Sequence, residues 1–210
     1  MFLATGMLHF VAQSLAEKLS IPHHFALFSP RLEVEVPSRD ALIAGPLNAH
    51  RASIGLPAVD NVRDFLFTKQ PWIAADVSLI PRDGKIDSDI VQTSPWVLAD
   101  ERPLPHDLLE FLSAGSPPVY VGFGSMRVPQ DTANAAIEAI RAQGHRVVLG
   151  SGLAGLVASD DKDDCFVLGE VNQQALFPRV AAVIHHGGAG TTTTAARSGC
   201  AQVVVPQAAD

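Results

Sequence analysis

The chain has little cysteine: its 210 residues include two, Cys165 and Cys200. They lie far apart and are not spaced like metal ligands, and a secreted fold stapled by disulfides would need more of them. A reducing compartment is the simplest interpretation of this usage. We therefore expect a cytoplasmic protein without a metal site built on cysteine.

An excess of basic residues is also absent. Lys and Arg number 15 against 22 Asp and Glu, which gives a formal net charge of -7, and no stretch clusters the basic residues. Because binding to a nucleic-acid backbone requires such clusters, we expect no nucleic-acid partner.

Long apolar runs are missing as well, since no segment reaches the roughly 20 residues needed to span a membrane. The opening residues MFLATGMLHFVAQ are apolar but lack the basic start of a signal peptide. They predict a core helix over residues 4–19, and we expect no membrane partner. With 47% hydrophobic residues, the chain can form one or two globular units with their own cores, and we expect a monomer.

The first half of the chain predicts short elements in irregular order. After the helix over 4–19, a strand is predicted at 24–28, a surface loop at 29–48 and a further strand within 71–80. The segment WVLADERPLPHD (96–107) combines three acids with two prolines, which is typical of a linker between domains.

The second half is regular, because apolar β-branched segments alternate with amphipathic ones. Strands are predicted at 117–124, 145–152, 165–171, 181–186 and 201–207, and helices at 131–144, 173–177 and 190–198. This alternation predicts an α/β fold with a parallel sheet and helices on both faces. Ligands of such sheets bind beyond the carboxyl ends of the strands. The unusual residues lie at these ends: Gly122–Ser125, Glu170–Gln174, His185–Thr191 and Pro206–Asp210.

The segment VIHHGGAGTTTT joins a predicted strand to a predicted helix and could bind a phosphate. Gly188 and Gly190 let the backbone approach a ligand, the helix start offers free N–H groups, and Thr191 and His186 add donors. A plain tight turn with a threonine-rich cap is the alternative interpretation. A metal site at paired histidines is disfavoured, because neighbouring strand residues point to opposite faces. We expect one of the two histidines to pack inward and the other to face the ligand.

Three other strand ends carry candidate binding residues. In GFGS (122–125), two glycines and Ser125 could bracket the same phosphate, or simply form a turn. Asn172 and Gln174 offer amides suited to a nucleobase edge, or belong to a solvated loop. Asp210 could accept hydrogen bonds from sugar hydroxyls, or lie in a surface turn.

Taken together, these segments resemble the GT-B glycosyltransferases that decorate natural products, and among them the vancomycin-group glycopeptide antibiotic glycosyltransferases of actinomycetes. The resemblance covers nearly the whole chain apart from residues 29–47. It rests on AEKLSIP (16–22), NAHRASIGLPAV (48–59), PWIAAD (71–76), WVLADERPL (96–104), SPPVYVGFGS (116–125), AIRAQGHRVVL (139–149), GEVNQQALF (169–177), VAAVIHHGGAGTTTTAARSGC (180–200) and VVVPQAAD (203–210). HHGGAGTT is specific for the superfamily, and the flanking segments are specific for the antibiotic branch.

The resemblance implies two Rossmann-like domains. Residues 1–93 would be the C-terminal part of an acceptor-binding domain, 94–105 a linker, and 106–210 the first two-thirds of a nucleotide-sugar donor-binding domain. The uncapped apolar start and the end just after a buried-type strand lead us to expect that both domains are incomplete in this chain.

The resemblance also implies roles for individual residues. The diphosphate would be bound by Ser125, His186, Gly188, Gly190 and Thr191, the nucleobase near Val171, Asn172 and Gln174, and the transferred sugar by Asp210. No metal and no cofactor are implied, since the co-substrate would be a UDP- or dTDP-sugar. The family's general base lies in a segment that this sequence lacks, so the catalytic base is unknown.

Two residues depart from the pattern. Gln173 stands where the family commonly has His, and Thr194 stands where plant relatives carry an acid against the ribose. The choice between uridine and thymidine therefore stays open.

The implied reaction is an inverting sugar transfer to a hydroxyl of a glycopeptide aglycone. Two alternatives remain at the level of sequence. One is a non-catalytic helper of glycosyltransferase descent that binds nucleotide sugars. The other is an α/β domain that binds a different phosphorylated ligand.

Overall fold

The computed structural model describes residues 1–6, 9–29, 37–62, 65, 71–81, 90–153, 155–160 and 162–207. The chain divides into two compact units, Met1–Trp96 and Val97–Asp210. This division falls within residues 94–105, where the sequence predicts a linker.

The first unit contains a parallel sheet with the strand order β1-β2-β3-β4. Its strands are Phe2–Thr5, His23–Leu27, Trp72–Ala74 and Val91–Thr93. Helix α1 (His9–Leu19) connects β1 to β2, and helix α2 (Pro37–Ser53) follows β2. The two helices are tied together by Arg51, whose guanidinium is 3% exposed and donates to both carboxylate oxygens of Glu17 at 2.8 and 3.1 Å.

The start of the chain corrects a prediction. Residues 2–5 form strand β1 instead of the first turns of a helix, with Phe2 paired to His23 and Thr5 to Ala26. A short apolar run fits a buried strand as well as a helix, and pairing with β2 decides between them. Helix α1 buries Phe10 and Ala16, whereas Val11 is 40% and Leu19 59% exposed.

The predicted surface loop at 29–48 is wrong from residue 37 onward, because α2 occupies Pro37–Ser53. Two prolines of this segment lie in the helix, Pro37 at its first position and Pro46 in its interior. At the first position the missing N–H group breaks no hydrogen bond. Packing of Leu47 against Phe10 and Val62 stabilises the rest.

The second unit contains a parallel sheet with the strand order β7-β6-β5-β8-β9. The strands are β5 (Val119–Gly122), β6 (Val147–Gly150), β7 (Cys165–Leu168), β8 (Ala182–His185) and β9 (Ala201–Val204). The helices are α3 (His106–Ser113), α4 (Gln130–Ala142), α5 (Gln173–Leu176) and α6 (Ala189–Arg197), with a 3-10 turn at Phe177–Arg179.

Helices cover both faces of this sheet, as the sequence predicts. On one face Tyr120, Val148 and Val183 pack with Leu108 of α3 and Leu176 of α5. The opposite face is covered by α4, whose Ala133, Ile137 and Ile140 pack with Val121 and Leu149. Strand residues that alternate between two apolar faces explain why these strands are hydrophobic throughout.

The register brings three strand ends side by side. Gly122 of β5 pairs with Gly150 of β6 on one side and with His185 of β8 on the other. The loops that follow these strands therefore lie together at the carboxyl edge of the sheet. Two of the four groups that the sequence singles out, Gly122–Ser125 and His185–Thr191, begin at these strand ends.

Candidate functional site

The connection between β8 and α6 is a tight turn that only glycine fits. We call residues His186, Gly187 and Gly188 the glycine turn. Gly187 has φ +101°, and a Cβ there would lie 3.0 Å from Cγ1 of Val204. A side chain at this position would strain the backbone and would force Val204 to shift.

His185 lies directly before the glycine turn and is fully buried, with 0% exposure. Its Nδ1 accepts the backbone N–H of Gly187 at 3.1 Å, and its Nε2 lies 2.9 Å from Oε1 of Gln202. Since Nδ1 accepts, the proton is on Nε2 and the imidazole is neutral. Burial lowers the pKa of His185, the bond to Gln202 opposes this shift, and the charge of His186 adds to it.

The imidazole of His186 lies between two glycines from different loops. A Cβ at Gly188 would approach its Nε2 to 2.5 Å, and a Cβ at Gly124 would lie 3.5 Å from its Cε1. A side chain at 188 would therefore displace the imidazole, whereas the backbone there has a φ of -56° that any residue can adopt. Within the part of the chain that the structure describes, the buried Nδ1 of His186 has no hydrogen-bond partner.

Helix α6 begins directly after the glycine turn, and no side chain among the described residues caps it. Its N-cap is Gly188, and its first turn carries no acidic residue. The hydroxyls of Thr192 and Thr194 bond back to the carbonyls of Gly188 and Gly190 at 3.0 and 2.9 Å. The first-turn amides and their partial positive charge thus receive no hydrogen bond from the N-cap side chain, since Gly188 has none.

The loop after β5 brings Ser125 to the same edge. It turns at Gly124, where φ is +57°, and Met126 N–H bonds to the carbonyl of Phe123 at 3.0 Å. Ser125 is exposed, and it adjoins the glycine that the His186 ring contacts. The candidate phosphate residues thus meet at one edge of the sheet, from the loop after β5, the glycine turn and the first turn of α6: Ser125, His186, Gly188, Gly190 and Thr191.

The structure explains why a glycine occupies position 122, which the sequence alone does not reveal. A Cβ at Gly122 would collide with the phenol oxygen of Tyr120, and one at Gly150 would lie 2.7 Å from the same atom. Burial raises the pKa of this phenol, and a hydrogen bond to Gln173 opposes the shift. The glycine at 122 therefore makes room for Tyr120 and not for a ligand.

Asn172 lies in the loop after β7 but uses its amide inside the protein. It is 4% exposed. Its Nδ2 donates to the carbonyls of Asp100 and Arg102 at 2.7 and 2.8 Å, and its Oδ1 accepts Ala175 N–H at 3.0 Å. The polar atoms that suit a nucleobase edge are thus bonded to the segment 100–102 and to the start of α5.

Gln174 follows the same pattern. Its Nε2 donates to the carbonyl of Leu98 at 2.8 Å, and its Oε1 accepts Asp100 N–H at 3.4 Å. We call residues 98–102 the clamped segment. Arg102 adds exposed ion pairs to Asp100 at 2.7 Å and to Glu170 at 2.9 Å. About 70 residues separate these partners, so no local sequence signal could have revealed the arrangement.

Of the two remaining candidate residues, the structure describes one. Val171 is partly buried and packs against the core of the second unit. Asp210 lies outside the described residues, as do its neighbours from 208 onward.

The described residues contain no group of three or more His, Cys, Asp or Glu side chains arranged to hold a metal ion. Nor do they contain a helix long and apolar enough to cross a membrane.

Known proteins resemble the chain in sequence. The family described as erythromycin biosynthesis protein CIII-like, C-terminal domain, matches residues 162–210. Glycosyltransferase GtfE of Amycolatopsis orientalis is 47% identical, over 94% of this chain and 55% of that protein. From the same organism, vancomycin aglycone glucosyltransferase is 46% identical with the same coverage. The dTDP-epi-vancosaminyltransferase is 48% identical over 94% of this chain and 53% of its own. The chain thus spans about half the length of the relatives it matches.

Solved structures resemble the chain in fold. The kitacinnamycin glycotransferase superposes with a TM-score of 0.70 at 19% identity, covering 99% of this chain and 58% of its own. The calicheamicin glycosyltransferase CalG4 gives a TM-score of 0.63 at 12% identity, covering 97% and 54%. The two parallel α/β sheets are those of GT-B glycosyltransferases, as the sequence predicts. The chain is thus a homologue of the vancomycin-group glycosyltransferases, and it has the fold of GT-B glycosyltransferases.

Proposed function

We propose that the protein is an inverting glycosyltransferase that moves a sugar from a UDP- or dTDP-sugar to a hydroxyl of a glycopeptide antibiotic aglycone. The observation that carries this proposal is the uncapped start of α6 with the His186 ring fixed beside it. A helix start of this kind attracts phosphate oxygens. Homology to proteins named as glucosyl- and vancosaminyltransferases supports the sugar chemistry.

The second unit would bind the donor. In our proposal residues 106–210 are the first two-thirds of the donor-binding domain, 94–105 the linker, and 1–93 the C-terminal part of the acceptor-binding domain. The diphosphate lies against the backbone of Gly188, Gly190 and Thr191, with His186 on the same side. Ser125 approaches from the loop after β5.

The nucleobase and the sugar would bind on either side of the diphosphate. We propose the segment Val171–Gln174 for the base. Because the amides of Asn172 and Gln174 bond to the clamped segment, the backbone of the segment and Val171 would make the contact. Asp210 would accept hydrogen bonds from hydroxyls of the transferred sugar.

The chemistry requires charge stabilisation on the leaving group. The acceptor hydroxyl gives its proton to a carboxylate base and attacks the anomeric carbon. The bond from that carbon to the diphosphate oxygen breaks, and its electron pair leaves with the nucleoside diphosphate. Donors fixed at the helix start, with His186 and Ser125, would stabilise that charge without a metal ion. We assign the base to no residue of this chain.

The test is binding followed by turnover in the intact protein. Titration calorimetry with UDP and dTDP should show binding of at least one of them. Mass spectrometry with a panel of glycopeptide aglycones and UDP- or dTDP-sugars should then detect a glycosylated product. Binding without product on any aglycone would favour the helper protein, and binding of neither nucleotide would contradict both.

A further inference from the structure

The hydrogen bond from Gly187 N–H to His185 Nδ1 is the basis of a further inference. It spans two positions of the chain and closes the glycine turn from inside the protein. Asn and Asp side chains often stabilise turns by accepting the N–H two residues ahead. Here a buried imidazole fills that role.

We propose that His185 is a positioning residue, whose Nδ1 holds the glycine turn in the shape that presents His186 and the start of α6 to the diphosphate. This rests on the proposed function, since the diphosphate site is part of that proposal. His185 itself is fully buried, so it would act through the turn and not by contact with the diphosphate.

The second ring nitrogen makes this role specific. Nε2 lies 2.9 Å from Gln202 Oε1, which accepts hydrogen bonds and cannot donate one. The proton therefore stays on Nε2, and Nδ1 stays free to accept from Gly187. Gln202 belongs to β9, so the neighbouring strand sets the tautomer that closes the turn.

The backbone around His185 anchors the turn on its other side. The carbonyl of His185 accepts Val205 N–H at 2.8 Å, and Val204 leaves 3.0 Å for any Cβ at Gly187. The chain at the end of β9 thus restricts the space beside Gly187, while His185 Nδ1 fixes the direction of the Gly187 N–H. A loss of this acceptor leaves a turn of high glycine content free to change shape.

Two substitutions separate this role from simple core filling. In His185→Asn, Oδ1 is as many bonds from Cα as Nδ1 is, so it can accept the Gly187 N–H. His185→Leu fills the core with apolar volume but has no acceptor. A packing role favours Leu, whereas the turn-closing role favours Asn.

The experiment measures dTDP and UDP affinity by calorimetry on the intact protein, with His145→Asn in an exposed loop as the matched control. We expect His185→Leu to weaken binding about tenfold, a change of ~1.4 kcal/mol, and His185→Asn to stay within about threefold of the unsubstituted protein, in the range of one neutral hydrogen bond. Equal binding in all variants, or an equal loss in Asn and Leu, would overturn the proposal.

Hydrogen exchange at the Gly187 amide distinguishes the two possible failures. If His185 closes the turn, exchange is faster in His185→Leu than in His185→Asn, whether or not a nucleotide binds. Should the unsubstituted protein bind neither nucleotide while this difference persists, the proposed function is wrong and the turn-closing role stands. Equal exchange in both variants contradicts that role by itself.

Gln202→Glu provides a second variant in case His185→Leu does not fold. A carboxylate facing Nε2 favours the doubly protonated imidazole, in which Nδ1 no longer accepts. The affinity for dTDP should then begin to fall at a higher pH than in the unsubstituted protein, with the neighbouring charge of His186 acting on both. An unchanged pH profile would contradict the role of the tautomer.

Discussion

The glycine turn and the loop after β7 both follow strands of the same parallel sheet, yet they use their polar groups in opposite ways. The glycine turn leaves the amides of the first turn of α6 without a side-chain cap and His186 Nδ1 without a partner among the described residues. In the loop after β7, the side-chain amides of Asn172 and Gln174 form hydrogen bonds with the clamped segment. Position at the carboxyl edge of the sheet is therefore not enough to identify a ligand group. A polar side chain at this edge can bind a ligand only with those hydrogen-bonding groups that have no partner inside the protein.

The largest expected effect is that of His186→Ala. It removes a group beside the proposed diphosphate without emptying the core, because the side chain is only partly buried. Loss of one fixed donor to a developing charge costs about 10²–10³-fold in turnover. Steady-state kinetics on the intact protein measures this, and thermal unfolding serves as the control. Undiminished turnover would contradict the role of His186.

Asn172→Ala is expected to act on stability instead. The change leaves two carbonyls and the Ala175 amide without partners at a site that is 4% exposed. A loss of about 2 kcal/mol in the free energy of unfolding is typical when a buried group loses its partners. Urea denaturation measures it. If dTDP or UDP affinity falls sharply while stability is unchanged, Asn172 contacts the base directly and the contrast between the two loops is wrong.

Gly188→Ala is expected to weaken nucleotide binding, with a smaller change in free energy than Asn172→Ala causes in stability. Its Cβ would lie 2.5 Å from Nε2 of His186 and force the ring to move. A displaced donor should weaken nucleotide binding about tenfold, or ~1.4 kcal/mol. Gly169→Ala is the matched control in the loop after β7, because nothing lies within 4 Å of its Cβ. Equal calorimetric affinities for both variants would mean that the ring position does not matter.

The smallest expected effect is a dependence of stability on pH. Burial lowers the pKa of His185 in the folded protein, while the unfolded value is 6.5. Below pH 6.5 the unfolded chain takes up a proton that the folded protein does not, so the free energy of unfolding falls until the lowered pKa is passed. Burial also lowers the pKa of His9 and His23, and they add to the same trend. Denaturation at several pH values should show a weaker dependence in His185→Asn, and an unchanged dependence would contradict the contribution of His185.

The regular half of the fold could be predicted from sequence because its signals are local. Apolar β-branched runs such as VYVG and VVLG belong to strands buried on both faces, and each is followed by an amphipathic helix or a glycine. The elements of the first half were harder to predict. FLAT is too short to separate strand from helix, and the proline at 37 marks a helix start as readily as a loop.

The candidate site divides in the same way. Alternation of side chains along a strand predicts that one of the two histidines is buried, and the structure shows that it is His185. A helix start close to Gly190 follows from the glycines and threonines of this segment, and the helix begins at Ala189. The bonds of Asn172 could not be predicted, because its partners lie about 70 residues earlier. The reason for Gly122 was equally hidden, since it depends on the direction of the Tyr120 ring.

The central claim is that the start of α6 and His186 hold the nucleoside diphosphate. A crystal structure of the intact protein with dTDP or UDP tests it most directly. We predict phosphate oxygens within hydrogen-bond distance of the backbone of Gly190 and Thr191 and of the His186 imidazole, with Asn172 still bonded to Asp100 and Arg102. Phosphates bound elsewhere, or an Asn172 side chain released to contact the ligand, would contradict the account.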